Sequence, residues 1–331
     1  VNQFKALQVE EVGEKKYQSQ VIERSIEELP EGDVVIQVQY SSINFKDALS
    51  ASGNKGVTRQ FPHTPGIDAA GLVVSSTDST FAEGDRVIVT GYDLGMNTAG
   101  GFGQYIRVPA AWVIKCPSNL SIRNSMIIGT AGFTAALCIE KLQTNGVLPE
   151  SGPILVTGAT GGVGIIAVAL LSKLGYEVIA STGKQSAEEI LKKLGAHTII
   201  DRNEINEPTS RPLLKEQWAG AIDVVGGDTL FSVLKSIKYG GSVACCGLVQ
   251  SPIFEASVFP FILRGVNLLG VDSVELPLEV KRAMWRKLAG DWSLDILDSL
   301  ATEITLDDLP KCLALVLAGN ATGRYLVNLE K

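Results

Sequence analysis

Residues 154–164 read ILVTGATGGVG, Ile154 to Gly164. A short apolar run enters a glycine turn, and the stretch GGVGIIAVALLSKLG that leaves it has the composition of a buried helix. A strand that passes through glycines into a helix leaves backbone N–H groups pointing outward at the helix N-terminus, where a dinucleotide pyrophosphate is held. The last six residues are A-T-G-G-V-G, so Ala159 stands at the first glycine of the G-x-G-x-x-G pattern. Gly161 lets the backbone approach a phosphate, and Gly164 lets the helix pack tightly against the sheet. An ordinary strand-to-helix turn is the plain alternative, and the combination of strand, glycines and helix weighs against it.

Outward from this turn, strand-like and helix-like runs alternate. EVIAST, HTIID, AIDVVGG, SVACCGL and VNLLGVDS read as strands; SAEEILKKLG, ending at Gly195, and DTLFSVLKSIK read as helices. That alternation predicts a parallel, doubly wound Rossmann sheet. Ahead of it, SMIIGTAGFTAALCIEKL reads as helical. Residues 1 to about 120 differ in kind: VVIQVQY, AAGLVVSS, DRVIVTGY and GQYIRVP are short β-prone runs punctuated by Gly, Asp and Pro. Beyond 275, VKRAMWRKLAG and LDDLPKCLALVLAG read as helices and RYLVNL as a closing strand that rejoins the N-terminal β domain. The expected fold class is α/β, a discontinuous β-rich domain around a Rossmann domain.

At roughly 100–200 residues per domain, the 331 residues suggest two domains, and 45% hydrophobic residues supply their cores. Lys and Arg number 29 against 36 Asp and Glu, a net charge of −7 with no long basic block, which argues against nucleic-acid binding. The cysteines, Cys116, Cys138, Cys245, Cys246 and Cys312, are odd in number and form no C-x-x-C, as expected of reduced core thiols in a reducing compartment. The opening residues VNQFKALQVEEVGEKK lack the apolar centre of a signal peptide. No uninterrupted apolar run reaches about 18 residues. A cytoplasmic protein without a membrane span is the expectation. With only His63 and His197, a His-rich zinc site is excluded, and the cysteines do not cluster for a thiolate site, so no metal is expected. His63, in FPHTPG, reads as structural.

The strand EVIAST ends in Ser181-Thr182-Gly183-Lys184. An NAD site usually carries an acid about 20 residues past the glycine motif, to accept from the ribose hydroxyls. None stands here. Lys184 and the hydroxyls suit a 2′-phosphate, and Arg202, at the tip of the next strand, is a second cation for it. NADPH is therefore expected over NADH; two solvated surface charges are the alternative.

INFKD, FPHTPGIDAAG, GDRVIVTG, GTAGFTA, the ATGGVG turn, AIDVVGG and GGSVACCGL follow one another in the order found in the medium-chain dehydrogenase/reductase superfamily. The chain resembles its zinc-independent quinone oxidoreductase branch. Asn44 stands where the zinc enzymes carry a cysteine ligand, and Ile67 and Asp68 stand where they carry a His-Glu pair. SSINFKDAL, RPLLKEQWAGAID and PFILRGVNLLGVDSV are similar to the YhdH/YhfP-type proteins, known as quinone oxidoreductases or acryloyl-CoA reductases, over essentially the whole chain. The resemblance implies a GroES-like domain over 1–122 and 275–331, a Rossmann NADP-binding domain over 123–274, and a homodimer. It also implies NADP contacts at Phe45, Thr160, Gly161, Gly162, Val163, Thr182, Gly183, Lys184, Arg202, Leu248, Ile262, Ser273 and Arg324.

The chemistry expected of such a protein is hydride addition to an alkene conjugated to a carbonyl. Charge then builds on the carbonyl oxygen and a proton must reach the α-carbon. By the resemblance the nicotinamide lies against the loop after VVIQVQY, so Asn44, Phe45 and Asp47 are the candidate catalytic residues. Asn44 is placed to donate an amide N–H to substrate or ribose. Asp47 is expected to anchor the loop, since an ionised acid would repel an enolate. Turn capping is the alternative for both. Phe45 replaces the more usual Tyr and offers no phenol, which leaves protonation to water or another side chain. The acceptor is expected to be an enoyl-CoA, then a quinone; an NADPH-binding protein without catalysis is the third reading. Lys55, Arg59, Lys281, Arg282, Arg286 and Lys287 are the cations available to CoA phosphates, with a solvated helix face the plainer account of VKRAMWRK.

Overall fold

The structure, a computed structural model, describes residues 3–206 and 211–331. The chain divides into two compact units, Val1–Thr130 with Val274–Lys331, and Ala131–Ser273.

The first unit opens with an antiparallel ribbon of β1 (Gln3–Gly13) and β2 (Lys16–Ser25), which put Gln3 opposite Ser25. Its many charged residues mask the alternation in the sequence. Next come β3 (Val34–Ser42), α1 (Phe45–Ala51), β4 (Asp68–Ser76), β5 (Arg86–Thr90), β6 (Tyr105–Val108) and β7 (Val113–Lys115). Ile36, Val38, Val73, Val87 and Val89 alternate inward from these strands to form the core with Phe102 and Leu94. Helix α2 (Ile122–Thr144) breaks at Gly129, whose φ of 51° only glycine takes readily. By length and composition α2 would pass for a membrane span, yet most of its apolar stretch is buried in the protein.

The second unit is the Rossmann sheet. It comprises β8 (Ile154–Val156), α3 (Gly162–Lys173), β9 (Val178–Thr182), α4 (Glu188–Lys193), β10 (Thr198–Asp201), β11 (Trp218–Asp223), α5 (Gly227–Ser236), β12 (Ile237–Cys245), α6 (Phe259–Arg264) and β13 (Asn267–Gly270). The strands lie parallel in the order β10-β9-β8-β11-β12-β13. The chain steps from β8 out to β10 and returns on the other side, so the switch point lies between β8 and β11. Helix α5 passes into β12 with no loop between them, earlier than the composition of DTLFSVLKSIK predicts. All five cysteines are free thiols.

The return segment adds α7 (Leu278–Ala289), α8 (Leu297–Leu300), β14 (Ala301–Ile304), α9 (Leu309–Leu317) and β15 (Arg324–Asn328). The closing strand β15 pairs antiparallel with β3, completing the order β14-β15-β3-β4-β5-β7, with β6 also on β3. The fold is thus a GroES-like β-rich unit and a Rossmann unit.

Helix α7 departs from its sequence reading. Lys281 is 1% exposed and Trp285 is 0% exposed, so neither belongs to a cationic face. The Lys281 ammonium donates to the carbonyls of Thr90 and Val274, both at 2.8 Å, and sits 3.5 Å from the Tyr92 ring centroid. A buried charge persists only where such partners replace water. Substituting Lys281→Met would strip Thr90 O of this donor and leave Val274 O the bond from Tyr92 N at 3.2 Å. Urea unfolding should show a loss of about 2–4 kcal/mol, the scale set by unsatisfied buried acceptors and a desolvated cation–π contact.

Candidate functional site

Each unit carries its own set of the expected residues. In the GroES-like unit the set gathers at the C-terminal end of β3. Asn44 precedes α1, and its backbone N–H donates to Asp47 Oδ2 at 2.7 Å. Asp47 Oδ1 accepts from the N–H groups of Ile67 at 2.8 Å and Gly66 at 3.2 Å. Asp47 is 0% exposed. Burial and the neighbouring Asp68 carboxylate push its pKa up to about 7, against the pull of the N–H groups of Asn44 and Ile67. Anchoring is thus the role the hydrogen bonds show. Asp47 has no surface with which to touch a substrate, which removes it from the candidates for direct contact.

Asn44 also differs from expectation. Its amide nitrogen donates to Asp68 Oδ2 at 2.7 Å, while its Oδ1 is buried without a partner. A carboxylate only accepts, so Asp68 fixes which end of the amide faces it. The N–H expected to face a ligand is therefore turned to Asp68, and the amide oxygen is the end left over. Phe45, the first residue of α1, is half-buried.

Asp68 is the centre of this cluster. Its oxygens accept from Ser42 Oγ at 2.6 Å, Thr130 N at 2.9 Å and Thr130 Oγ1 at 2.5 Å, besides Asn44. Arg324 Nη2 stands 3.9 Å from Asp68 Oδ2. Its Nε donates to Ile127 O and its Nη1 to Ile43 O, each at 3.0 Å. At 2% exposure, Arg324 holds its own unit together. A Cβ at Gly129 would come within 2.5 Å of both Asp68 Oδ2 and Ser42 Oγ, so the α2 break is where the cluster passes the helix. Ser42 and Thr130 escaped the sequence reading, though SSIN and GTAGFTA, which contain them, did not.

In the Rossmann unit, the ATGGVG turn leads into α3 with Gly161 as its N-cap. A Cβ on Gly164 would meet Gly158 O at 2.3 Å, so the glycine serves the turn itself. A Cβ on Gly161 would meet only Gly158 O, at 3.4 Å. The protein makes no steric demand for glycine there; an approaching phosphate does. Gly162 and Val163 are half-buried in the first turn, and Thr160 is buried. Thr160 Oγ1 and Thr182 Oγ1 are 3.3 Å apart, and Ser181 Oγ is buried without a partner. The Arg202 guanidinium lies over Gly183, 2.3 Å from where its Cβ would be. Lys184 is pushed down from its ordinary pKa by burial, then by Arg202. Two cations held close against their mutual repulsion, beside hydroxyls, suit a phosphate dianion, so these residues fit NADP. Leu248 and Ile262 are exposed and Ser273 is half-buried. Among the described residues, no cluster of three or more His, Cys, Asp or Glu is arranged to hold a metal ion.

Residues 30–118 match the alcohol dehydrogenase GroES-like domain and residues 162–290 match the zinc-binding dehydrogenase domain. The acrylyl-CoA reductase AcuI of Ruegeria pomeroyi is 45% identical over 328 residues, covering 99% of each chain. The chain belongs to the medium-chain dehydrogenase/reductase family. Its branch is the zinc-independent YhdH/YhfP type. YhfP of Bacillus subtilis, which carries the name quinone oxidoreductase, is 48% identical over 92% of this chain and 93% of its own. The crystal structure of Escherichia coli YhdH with bound NADPH superposes with a TM-score of 0.95 at 45% identity, over 98% of this chain and 99% of that one. YhfP itself, solved with NAD bound, also gives 0.95, at 47% identity over 99% and 100%.

Asp47 ionises at about 3.9 when unfolded and at about 7 in the fold. The folded state therefore keeps its proton longer. The stability this group contributes is full below the unfolded value and is lost as pH rises through about 7. Unfolding titrations from pH 4 to 8 should show the wild-type advantage over Asp47→Asn shrinking as pH rises, by up to about 4 kcal/mol.

Proposed function

We propose that this protein is an NADPH-dependent reductase of an activated carbon–carbon double bond, with an acrylyl-CoA-like enoyl thioester as acceptor. The observation that carries the cofactor is the placing of Arg202 and Lys184 at Gly183, beyond β9, where an NAD site would carry an acid. The full-length likeness to AcuI supports the thioester. A quinone is the second reading, supported by the name of YhfP. Binding of NADPH without catalysis is the third.

NADPH, when bound, supplies the hydride. The turn at Gly158–Val163 and the N-terminal amides of α3 take the pyrophosphate, and Lys184 and Arg202 take the 2′-phosphate. Asn44 Oδ1 accepts from a ligand hydroxyl, its direction fixed by Asp68. Asp47 holds the start of α1 against Gly66 and Ile67. Phe45 presents an apolar ring and no proton, which leaves α-carbon protonation to water or another side chain. Leu248, Ile262 and Ser273 remain proposed cofactor contacts, and Arg324 a support for Asn44 through Asp68.

We also propose a homodimer through β13, which among the described residues pairs with β12 alone and exposes Leu268, while Val258, Ile262 and Leu263 in and before α6 are exposed as well.

Replacing Lys184 and Arg202 together by alanine should raise KM for NADPH roughly tenfold or more while leaving NADH unchanged. Equal effects on both would remove the 2′-phosphate assignment. Consumption of NADPH should follow addition of acrylyl-CoA. Turnover of quinones alone would favour the second reading, and tight binding with no turnover the third. In sedimentation, Leu268→Lys should convert a dimer into a monomer.

A further inference from the structure

Three loops leave the carboxyl ends of neighbouring strands β8, β11 and β12, and one buried aspartate joins them, the first two through its carboxylate and the third through its backbone carbonyl. Asp223, the last residue of β11, is 0% exposed. Its Oδ1 accepts from Thr157 Oγ1 at 2.8 Å, across the switch point of the sheet. Its Oδ2 accepts from Gly226 N at 2.7 Å. Thr157 Oγ1 in turn accepts from Val224 N at 3.1 Å. The Asp223 carbonyl accepts from Cys246 N at 3.0 Å, and that of Val225 from Gln250 N at 2.9 Å. The hydroxyl of Thr157 thus both donates and accepts, and the two carboxylate oxygens hold different loops.

Val224 carries this lattice to the dinucleotide turn. Its Cγ2 stands 2.6 Å from where a Cβ on Gly158 would lie, and its carbonyl is 2.1 Å from the corresponding point on Gly247. Gly158 has φ of 57° and begins the turn. Its carbonyl accepts from Gly161 N at 3.0 Å and packs against Gly164. Where Val224 stands therefore sets where Gly158 stands, and Gly158 sets the first amides of α3. Sites that depend on aligned amides lose affinity when displaced by about 1 Å.

We propose that Thr157 and Asp223 are positioning residues for the cofactor. They lock the β8, β11 and β12 loops into one unit through Val224 and so aim the amides of the glycine turn at the pyrophosphate. This rests on the NADPH reading above and extends it to residues that do not touch the cofactor. Burial pushes Asp223 up to about 6, while Gly226 N and Thr157 pull it down, so the carboxylate is kept there against its own desolvation.

The test is the Kd for NADPH, followed through cofactor fluorescence on folded full-length protein, with a thermal melt beside it. Thr157→Val and Asp223→Asn should each raise Kd about tenfold or more, while Thr157→Ser, which keeps the hydroxyl, stays within about twofold of wild type. Val224→Ala, which keeps the backbone hydrogen bonds and removes the methyl that stands against Gly158, should raise Kd about threefold. That variant decides the matter alone if the other two do not fold. Lower melting temperatures with Kd within about twofold of wild type in every folded variant would reduce the lattice to a structural role and overturn the proposal. Absence of NADPH binding by the unmodified protein overturns the cofactor reading and this one with it, and differs visibly from failure in the variants alone.

Discussion

The carboxylate of Asp68 sits inside the GroES-like unit with no exposed surface, and its charge is the constraint around which that unit is arranged. Such a group is tolerated only when its oxygens are filled and a cation stands near. Ser42, Asn44 and Thr130 fill the oxygens, and Arg324 supplies the cation. Removing one member of a buried pair typically costs about 3–5 kcal/mol because the other is left uncompensated. The consequences spread outward. Asn44 has its amide orientation chosen by Asp68, Gly129 must break α2 to let the cluster pass, and Arg324 ties β15 to the backbone at Ile43 and Ile127.

Much of this was legible in the sequence, for reasons that differ by element. The Rossmann sheet announces itself because its inner strands β8, β9 and β11 are buried on both faces and read as continuous apolar runs. The ribbon β1–β2 does not, because Lys, Glu and Arg interrupt both strands and β2 buries no residue fully. Lys281 is the instructive miss. Its spacing from Arg282 and Arg286 on a helix suggests a cationic face, but the carbonyls of Thr90 and Val274 that draw it inward come from elsewhere in the chain. Asn44 and Asp47 were legible in INFKD as candidates. Their directions were not, because the N–H groups of Gly66 and Ile67 and the carboxylate of Asp68 reach them only through folding.

The glycines of the dinucleotide turn separate into two kinds. Gly164 is required by the protein, since the carbonyl of Gly158 occupies the space its side chain would need. Gly161 is required by nothing in the protein itself. A residue whose smallness has no internal cause points outward, and here it points to where a phosphate approaches a helix N-terminus. Lys184 and Arg202 carry charge of one sign to the end of the neighbouring strand, where burial and Arg202 both weigh on the Lys184 ammonium.

The partners of Asp68 are dispersed along the chain in a way that bears on synthesis. Ser42, Asn44 and Thr130 precede the Rossmann unit, while Arg324 follows it. As the chain emerges from the ribosome, residues 131–273 are complete and contiguous and are free to fold as a unit. Throughout that interval Asp68 has hydrogen-bond donors but not the guanidinium. The N-terminal β-rich segment therefore waits for residue 324 to be made before its buried acid is balanced.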